Sequence, residues 1–317
     1  MRFPSFTKKI MKHPFLAAKG LTFGYDENPV IEDLTMTVKT SQIVSIVGRS
    51  GEGKSTLLHL LVGALDATYD GHIRIMGNRR GFAKEDIGFV PQEISLMPDL
   101  TIAENISCFG SLYGLRKQES LAAGSELMDI LQLKVPLERL PKDLSGGQRA
   151  RLNILVSILH NPTVIILDEP FAGLDYANRK VLWHFLRHLK NKRKAIILTT
   201  HLLNEAEHHT DIIMLIHKGK IWAKGKLADI RKKLKTTHVV EIQFNKLSKK
   251  ATASIERYCT AHNITIMDIF NTYYMFAVSD TRQRAYLLKY LEKTTAYEEI
   301  AFREPSLDEL FLKVVNI

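Results

Sequence analysis

The chain has 317 residues, of which 45% are hydrophobic and 25% charged, and 44 Lys and Arg against 34 Asp and Glu give a formal net charge of +10. The length suits two domains, or one large domain with an appendage, and the composition is that of a globular protein with a sizeable core. No apolar run approaches the roughly 18–20 residues that a bilayer crossing requires, which argues against a chain that spans a membrane by itself. The positive balance admits nucleic acid, anionic lipid or a polyphosphate as partner without choosing among them.

In chain order, residues 1–14 read as a basic tail without the long apolar region or cleavage site of a secretory signal. Phe3, Phe6, Ile10 and Met11 with Lys8, Lys9 and Lys12 leave a short amphipathic helix as the alternative to a disordered tail. Gln42–Val47 predicts a strand and Gly53–Leu65 a helix entered through a glycine-rich turn. Asp86–Val90 predicts a strand, Arg149–Leu159 a helix, and Thr163–Leu167 a strand. Ala177–Leu189 follows as an amphipathic helix, then Ala195–Thr199 and Asp211–His217 as strands. Continuously apolar strands between helices call for a sheet covered on both faces, hence an α/β fold over residues 15–235.

The stretch Lys218–Lys250, with Arg231, Lys232, Lys233 and Lys235, reads as a solvated linker face. Beyond it the pattern changes. Val239–Phe244, Ala251–His262, Ile264–Phe270, Tyr273–Val278, Arg282–Glu292 and Tyr297–Phe302 spell βαββαβ, the order of a ferredoxin-like unit. Residues 236–317 are therefore expected as a small α+β domain, closed by a helix over Ser306–Val315. Cys108 and Cys259 stand far apart with no CxxC spacing, the pattern of reduced thiols in a cytosolic protein.

Three short motifs carry chemistry. Gly48-Arg49-Ser50-Gly51-Glu52-Gly53-Lys54-Ser55 fits G-x-x-x-x-G-K-[ST] between an apolar strand and the helical TLLHLL. Glycines at this spacing let backbone N–H groups converge on phosphate oxygens at a helix N-terminus; Lys54 would reach the β- and γ-phosphates and the Ser55 hydroxyl would ligate Mg²⁺. Val164–Leu167 delivers Asp168 and Glu169 to the carboxyl end of a buried strand, where open α/β sheets bind ligands. Asp168 would hold Mg²⁺ and Glu169 would polarise an attacking water; read alone, such a pair is equally a solvated strand end. Leu144-Ser145-Gly146-Gly147-Gln148 precedes a helix with Ser145 as cap, and read alone it is as much a capped turn as an anion site.

In this order and spacing the three motifs resemble the ATP-binding cassette (ABC) family, whose signature is LSGGQ. The resemblance covers about residues 15–225 and implies a P-loop nucleotidase cassette with a mixed sheet and a helical subdomain. It implies that Tyr25, with Phe23 as the competing choice, stacks on adenine. It implies that Gln92, Glu169 and His201 are catalytic and that Ser55, Gln92 and Asp168 serve Mg²⁺. The ATP-binding set is then Tyr25, Gly48, Ser50, Gly51, Gly53, Lys54, Ser55 and Thr56, with Ser145, Gly146, Gly147, Gln148 and Asp175. It further implies a head-to-tail dimer, simplest as a homodimer, in which Ser145 and Gly146 of one subunit complete the γ-phosphate site of the other. Separate transmembrane permease subunits would dock near Gln92–Leu115 and place the protein on the cytoplasmic face of the cell membrane. LMPDLTIAENISCFGSLYGL and the closing EPSLDELFLKVV resemble exporter subunits for drugs, lipids or polysaccharides. Phe171 departs from the family pattern, where threonine is more frequent, with little expected effect on chemistry. The alternative is a soluble ABC-type ATPase acting on a ribosome, nucleic acid or assembly scaffold. One cassette per chain and the lack of an aromatic–basic platform leave no nucleic-acid partner expected.

Overall fold

A computed structural model describes residues 15–65, 68–75, 78–79, 84–234, 236 and 238–315. The expected N-terminal tail and Lys235 lie outside the described residues. The first half runs β1 (Leu16–Phe23), β2 (Ile31–Val38), β3 (Gln42–Val47), α1 (Lys54–Val62), β4 (Asp70–Ile75), β5 (Asn78–Arg79), β6 (Ile87–Val90), α2 (Ile102–Leu112), α3 (Lys117–Ile130) and α4 (Gly146–Ser157). It continues through β7 (Val164–Leu167), α5 (Tyr176–Asn191), β8 (Ala195–Thr200), α6 (Leu203–His209), β9 (Ile212–His217), β10 (Lys220–Gly225) and α7 (Leu227–Lys233). The remainder is β11 (His238–Phe244), α8 (Lys249–Ala261), β12 (Thr265–Phe270), β13 (Tyr273–Val278), α9 (Thr281–Thr294), β14 (Tyr297–Arg303) and α10 (Leu307–Val315).

The central six-stranded sheet has the order β10-β9-β3-β8-β7-β6. Its strands β9, β3, β8, β7 and β6 pair in parallel and β10 closes one edge antiparallel. Successive residues of a strand point to opposite faces, so an apolar run feeds two cores at once. Ile165, Leu167, Ile196 and Leu198 face the core built with α4 and α5. Val164, Ile166, Ala195 and Ile197 face the other core, with Leu57, Leu58, Leu60 and Leu61 of α1. An antiparallel sheet, β2-β1-β4-β5, lies against that second core. The α/β class follows from this arrangement.

Register places the functional edge. Val47 of β3 sits beside Thr200 of β8, and Leu198 beside Leu167 of β7. Val90 of β6 sits beside Leu167 in turn. Gly48, His201, Asp168 and Gln92 therefore leave the sheet at one carboxyl edge.

The lysine-rich stretch is more structured than a linker: β10 and α7 fold within it and bury Ala223, Ile230 and Leu234. The lysines occupy the solvent side of these elements, which conceals their apolar spacing. The last sheet has the order β12-β13-β11-β14, antiparallel throughout, which is the ferredoxin-like arrangement that βαββαβ predicts. Its closing helix α10 turns back to the first unit, and Leu307, Leu310 and Phe311 bury against Ala206, Ile213, Leu215 and Ile230. Among the described residues no helix is long and apolar enough to cross a membrane. Leu310 is fully buried in this junction, so Leu310→Ala should cost about 2–5 kcal/mol, read as a lower urea midpoint; an unchanged midpoint would mean that α10 does not hold the junction.

Candidate functional site

The 48–53 turn between β3 and α1 depends on glycine for its path. Gly51 and Gly53 take φ of 83° and 86°, a left-handed conformation that costs glycine nothing. Lys54 begins α1 with only 8% exposure, and its Nζ reaches back to donate to the carbonyls of Gly48 and Arg49, each at 2.9 Å. Ser55 and Thr56 follow, half-buried on the first turn of the same helix. Tyr25 lies beside that turn, its Oη 3.5 Å from Thr56 Oγ1 and its ring edge-on to Phe23 at 5.0 Å. Phe23 is 5% exposed and belongs to the core, whereas Tyr25 is 66% exposed, so of the two only Tyr25 offers a free ring face.

Asp168 ends β7 almost wholly buried. The Thr199 hydroxyl donates to Asp168 Oδ1 at 2.5 Å and accepts from the backbone N–H of Glu169 at 2.8 Å. A hydroxyl has one proton to give; here it points at Asp168 Oδ1, which accepts it as a hydrogen bond. Glu169 adopts φ of 46°, a strained conformation for a non-glycine residue that surrounding contacts have to hold. His201 Nδ1 donates to Glu169 Oε2 at 2.8 Å, and the His201 backbone N–H donates to the same oxygen at 3.3 Å. Glu169 is largely buried while the His201 ring stays mostly exposed. Gln92 is exposed two residues beyond β6.

The Ser145 turn is a complete helix cap. Gln148 N donates to Ser145 Oγ at 3.3 Å, and Ser145 N donates to Gln148 Oε1 at 3.0 Å. A Cβ on Gly147 would come within 2.6 Å of the Asn178 side-chain amide, which would have to shift, while Gly146 faces open space. Asn178 in turn donates its N and Nδ2 to Asp175, both at 2.8 Å. The backbone donor foremost holds the Asp175 carboxyl below the usual carboxylate range. Among the described residues no hydrogen bond or ion pair joins this turn to the 48–55 loop. Phe171 stacks on Trp183 at 4.4 Å between ring centres, fully buried beneath the segment after Glu169, so its departure from the family pattern is a matter of packing.

The donor set fits a magnesium triphosphate. A buried ammonium and a glycine-rich helix N-terminus suit phosphates, and the Ser55 hydroxyl with the Asp168 carboxylate suits a hard cation that keeps phosphate and water in its shell. Among the described residues there is no cluster of three or more His, Cys, Asp or Glu able to hold a metal alone. Thr199 was not singled out from sequence; its only signal was a hydroxyl two residues before His201. Thr199→Val should cost about 1–3 kcal/mol by stranding buried Asp168, and Thr199→Ser should cost less. Equal urea midpoints for Val and Ser would show that the hydroxyl carries no such load.

The chain matches the family model for ABC transporter over residues 31–172, and the model for the C-terminal domain of ATP-binding proteins like DrrA1-3 over residues 225–315. An uncharacterized ABC transporter ATP-binding protein of Methanocaldococcus jannaschii is 31% identical over 75% of this chain and 86% of its own length. The Nod factor export ATP-binding protein I of Ralstonia nicotianae is 34% identical over 67% of each chain. The chain also matches a mouse ABC-type organic anion transporter at 28% identity over 89% of its residues, but spans only 18% of that protein's length. Among solved structures, a cassette in a post-hydrolysis state with ADP and Pi superposes with a TM-score of 0.60 at 26% identity, covering 67% of this chain and 98% of the other. The chain belongs to the ABC transporter family, as an ATP-binding subunit that hydrolyses ATP.

Proposed function

We propose that two copies of this chain close head to tail on ATP and Mg²⁺ and thereby drive separate transmembrane permease subunits, in the direction of export. The observation that carries this reading is the gathering of Lys54, Asp168, Glu169 and His201 at one sheet edge while the Ser145 turn stands apart from them. Each nucleotide then has a phosphate loop from one subunit and a signature turn from the other. Lys54 exchanges loop carbonyls for phosphate oxygens, and Tyr25 covers the base. Glu169 accepts the proton of the attacking water, held in place by Thr199 at its backbone and by His201 at its carboxylate. His201, anchored through Nδ1, turns its exposed side to the γ-phosphate. Ser55 and Asp168, with Gln92 beside them, would hold Mg²⁺, which neutralises charge on the phosphates.

The permease would dock on residues 92–115, where Ile94, Met97 and Leu112 are 45%, 39% and 71% exposed. Asn105 is fully buried beneath this surface and bonds Met97 N and O and Leu100 O at 2.9–3.0 Å, so the segment keeps a fixed shape. Ser95 donates both its N and its Oγ to Asn153 on α4. A push on the docking surface therefore reaches the helix that begins at the signature turn. Docking of this kind would hold the protein at the cytoplasmic face of the membrane. Export is favoured by the Nod factor relative, and the soluble alternative has no comparable support.

Glu169→Gln should bind ATP normally, accumulate as a dimer when ATP and Mg²⁺ are added, and lose turnover about 100-fold or more. Size-exclusion chromatography with a phosphate-release assay reads both effects. Turnover near that of the unmodified protein would remove Glu169 from the role of base.

A further inference from the structure

Resting on the reading of residues 48–55 as the phosphate loop, a further role falls to Glu52, which the loop's motif leaves unspecified. A carboxylate is an unexpected neighbour for a polyphosphate, because like charges at short range in a partly dry site repel strongly. In the structure its charge is engaged elsewhere. Glu52 Oε1 accepts from His217 Nδ1 at 2.9 Å, and Oε2 accepts from the backbone N–H of Lys218. The two side chains are 12% and 11% exposed, so the pair is largely shielded from water.

The partner is a rigid turn. Lys218 and Gly219 take φ of 48° and 73° in succession between antiparallel β9 and β10, the conformation that a two-residue hairpin loop demands. The turn is pressed into its surroundings: Glu32 N donates to Gly219 O at 3.1 Å, and a Cβ on Gly219 would meet Val30 O at 2.4 Å. The phosphate loop is crowded against the same region. A Cβ on Gly53 would come within 2.8 Å of Val30 O, and one on Gly48 within 2.8 Å of Ile216 O. Gly48 thus packs on the end of β9, Gly53 and Gly219 press on the same Val30 carbonyl, and the Glu52 carboxylate bridges directly from the loop to the turn.

We propose that Glu52 is a positioning residue for ATP binding, clamped by His217 and the Lys218 N–H so that the phosphate loop is fixed to the β9–β10 turn and its carboxylate is hydrogen-bonded away from the phosphates. Loss of His217 frees the loop and leaves the charge uncompensated, and both consequences weaken ATP binding. Removing the charge as well reverses one of them. The chemical step uses other residues, so turnover at saturating ATP is preserved.

The test is displacement of a trinitrophenyl-ATP probe by ATP, with turnover measured alongside, on full-length protein. His217→Phe should weaken ATP binding about ten-fold and raise KM in parallel, with kcat within about two-fold of the unmodified protein. The double variant Glu52→Gln with His217→Phe should recover to within about three-fold of the original affinity. Glu52→Asp, which keeps the charge but shortens its reach, should show the loss of His217→Phe and supplies the answer if that variant fails to fold. Unchanged affinity in His217→Phe or, should it not fold, in Glu52→Asp overturns the proposal. So does a double variant as weak as His217→Phe, since packing alone would then explain the loss. Lys54→Ala is the control: if it too binds ATP normally, the phosphate-loop reading itself has failed, whereas its loss beside an intact His217→Phe defeats only the role of Glu52.

Discussion

Lys54 at the start of α1 and Asp168 just beyond β7 are an ammonium and a carboxylate taken almost wholly out of water, and the strands that lead to them, β3 and β7, both flank β8. Burying either charge without hydrogen bonds costs several kcal/mol, so the chain around each is arranged to supply them. Two loop carbonyls converge on Lys54, which requires the tight glycine path of residues 48–53. A threonine hydroxyl meets Asp168, which requires β7 and β8 in register. The continuous apolar faces of β3, β7 and β8 exist to hold that register. The site is thus a polar pocket that a dry two-faced core makes rigid.

Rigidity at the sheet edge leaves movement to the parts around it. The signature turn satisfies its own backbone through the Ser145 and Gln148 cap, and its Gly147 packs against Asn178, which is bonded to Asp175. Helix α6 starts two residues after His201, and its Glu207 accepts from Leu307 N at the start of α10. Arg231 joins the same corner through Glu207 and Glu304, while Arg303 grips both Glu241 of the last sheet and Glu309 of α10. The C-terminal unit is therefore bonded to the helix that follows His201, whereas the segment 92–115 is bonded through Ser95 to the helix that begins at the Ser145 turn. In the proposed head-to-tail dimer these two attachments reach opposite halves of the ATP site.

The parts legible in the sequence were those whose physics is local. Val164–Leu167 reads as a doubly covered strand because every residue is apolar, and Gly48–Ser55 reads as a phosphate loop because glycine and lysine stand at fixed offsets after a strand. The βαββαβ order was readable for the same reason, since each element carries its own period. What escaped depends on neighbours far along the chain. Thr199 matters through residues some thirty positions away, and Glu52 through His217, which lies 165 positions on. The strands β1 and β2 alternate buried and exposed residues around register breaks, which blurs the pattern. The strand β10 and helix α7 were hidden by the lysines on their outer side. Helix α10 was placed correctly along the chain, but its packing on β9 and α6 is a tertiary fact that no local period encodes.

On this reading the phosphate loop and the Asp168 carboxylate form one metal–nucleotide site. Electron paramagnetic resonance of Mn²⁺ with ATP tests it most directly, because the ion's spectrum changes when protein and nucleotide hold it together. The expected result is an ATP-dependent bound Mn²⁺ signal that is lost in Asp168→Asn, in a variant that still binds ATP. A bound signal that survives Asp168→Asn undiminished would contradict it.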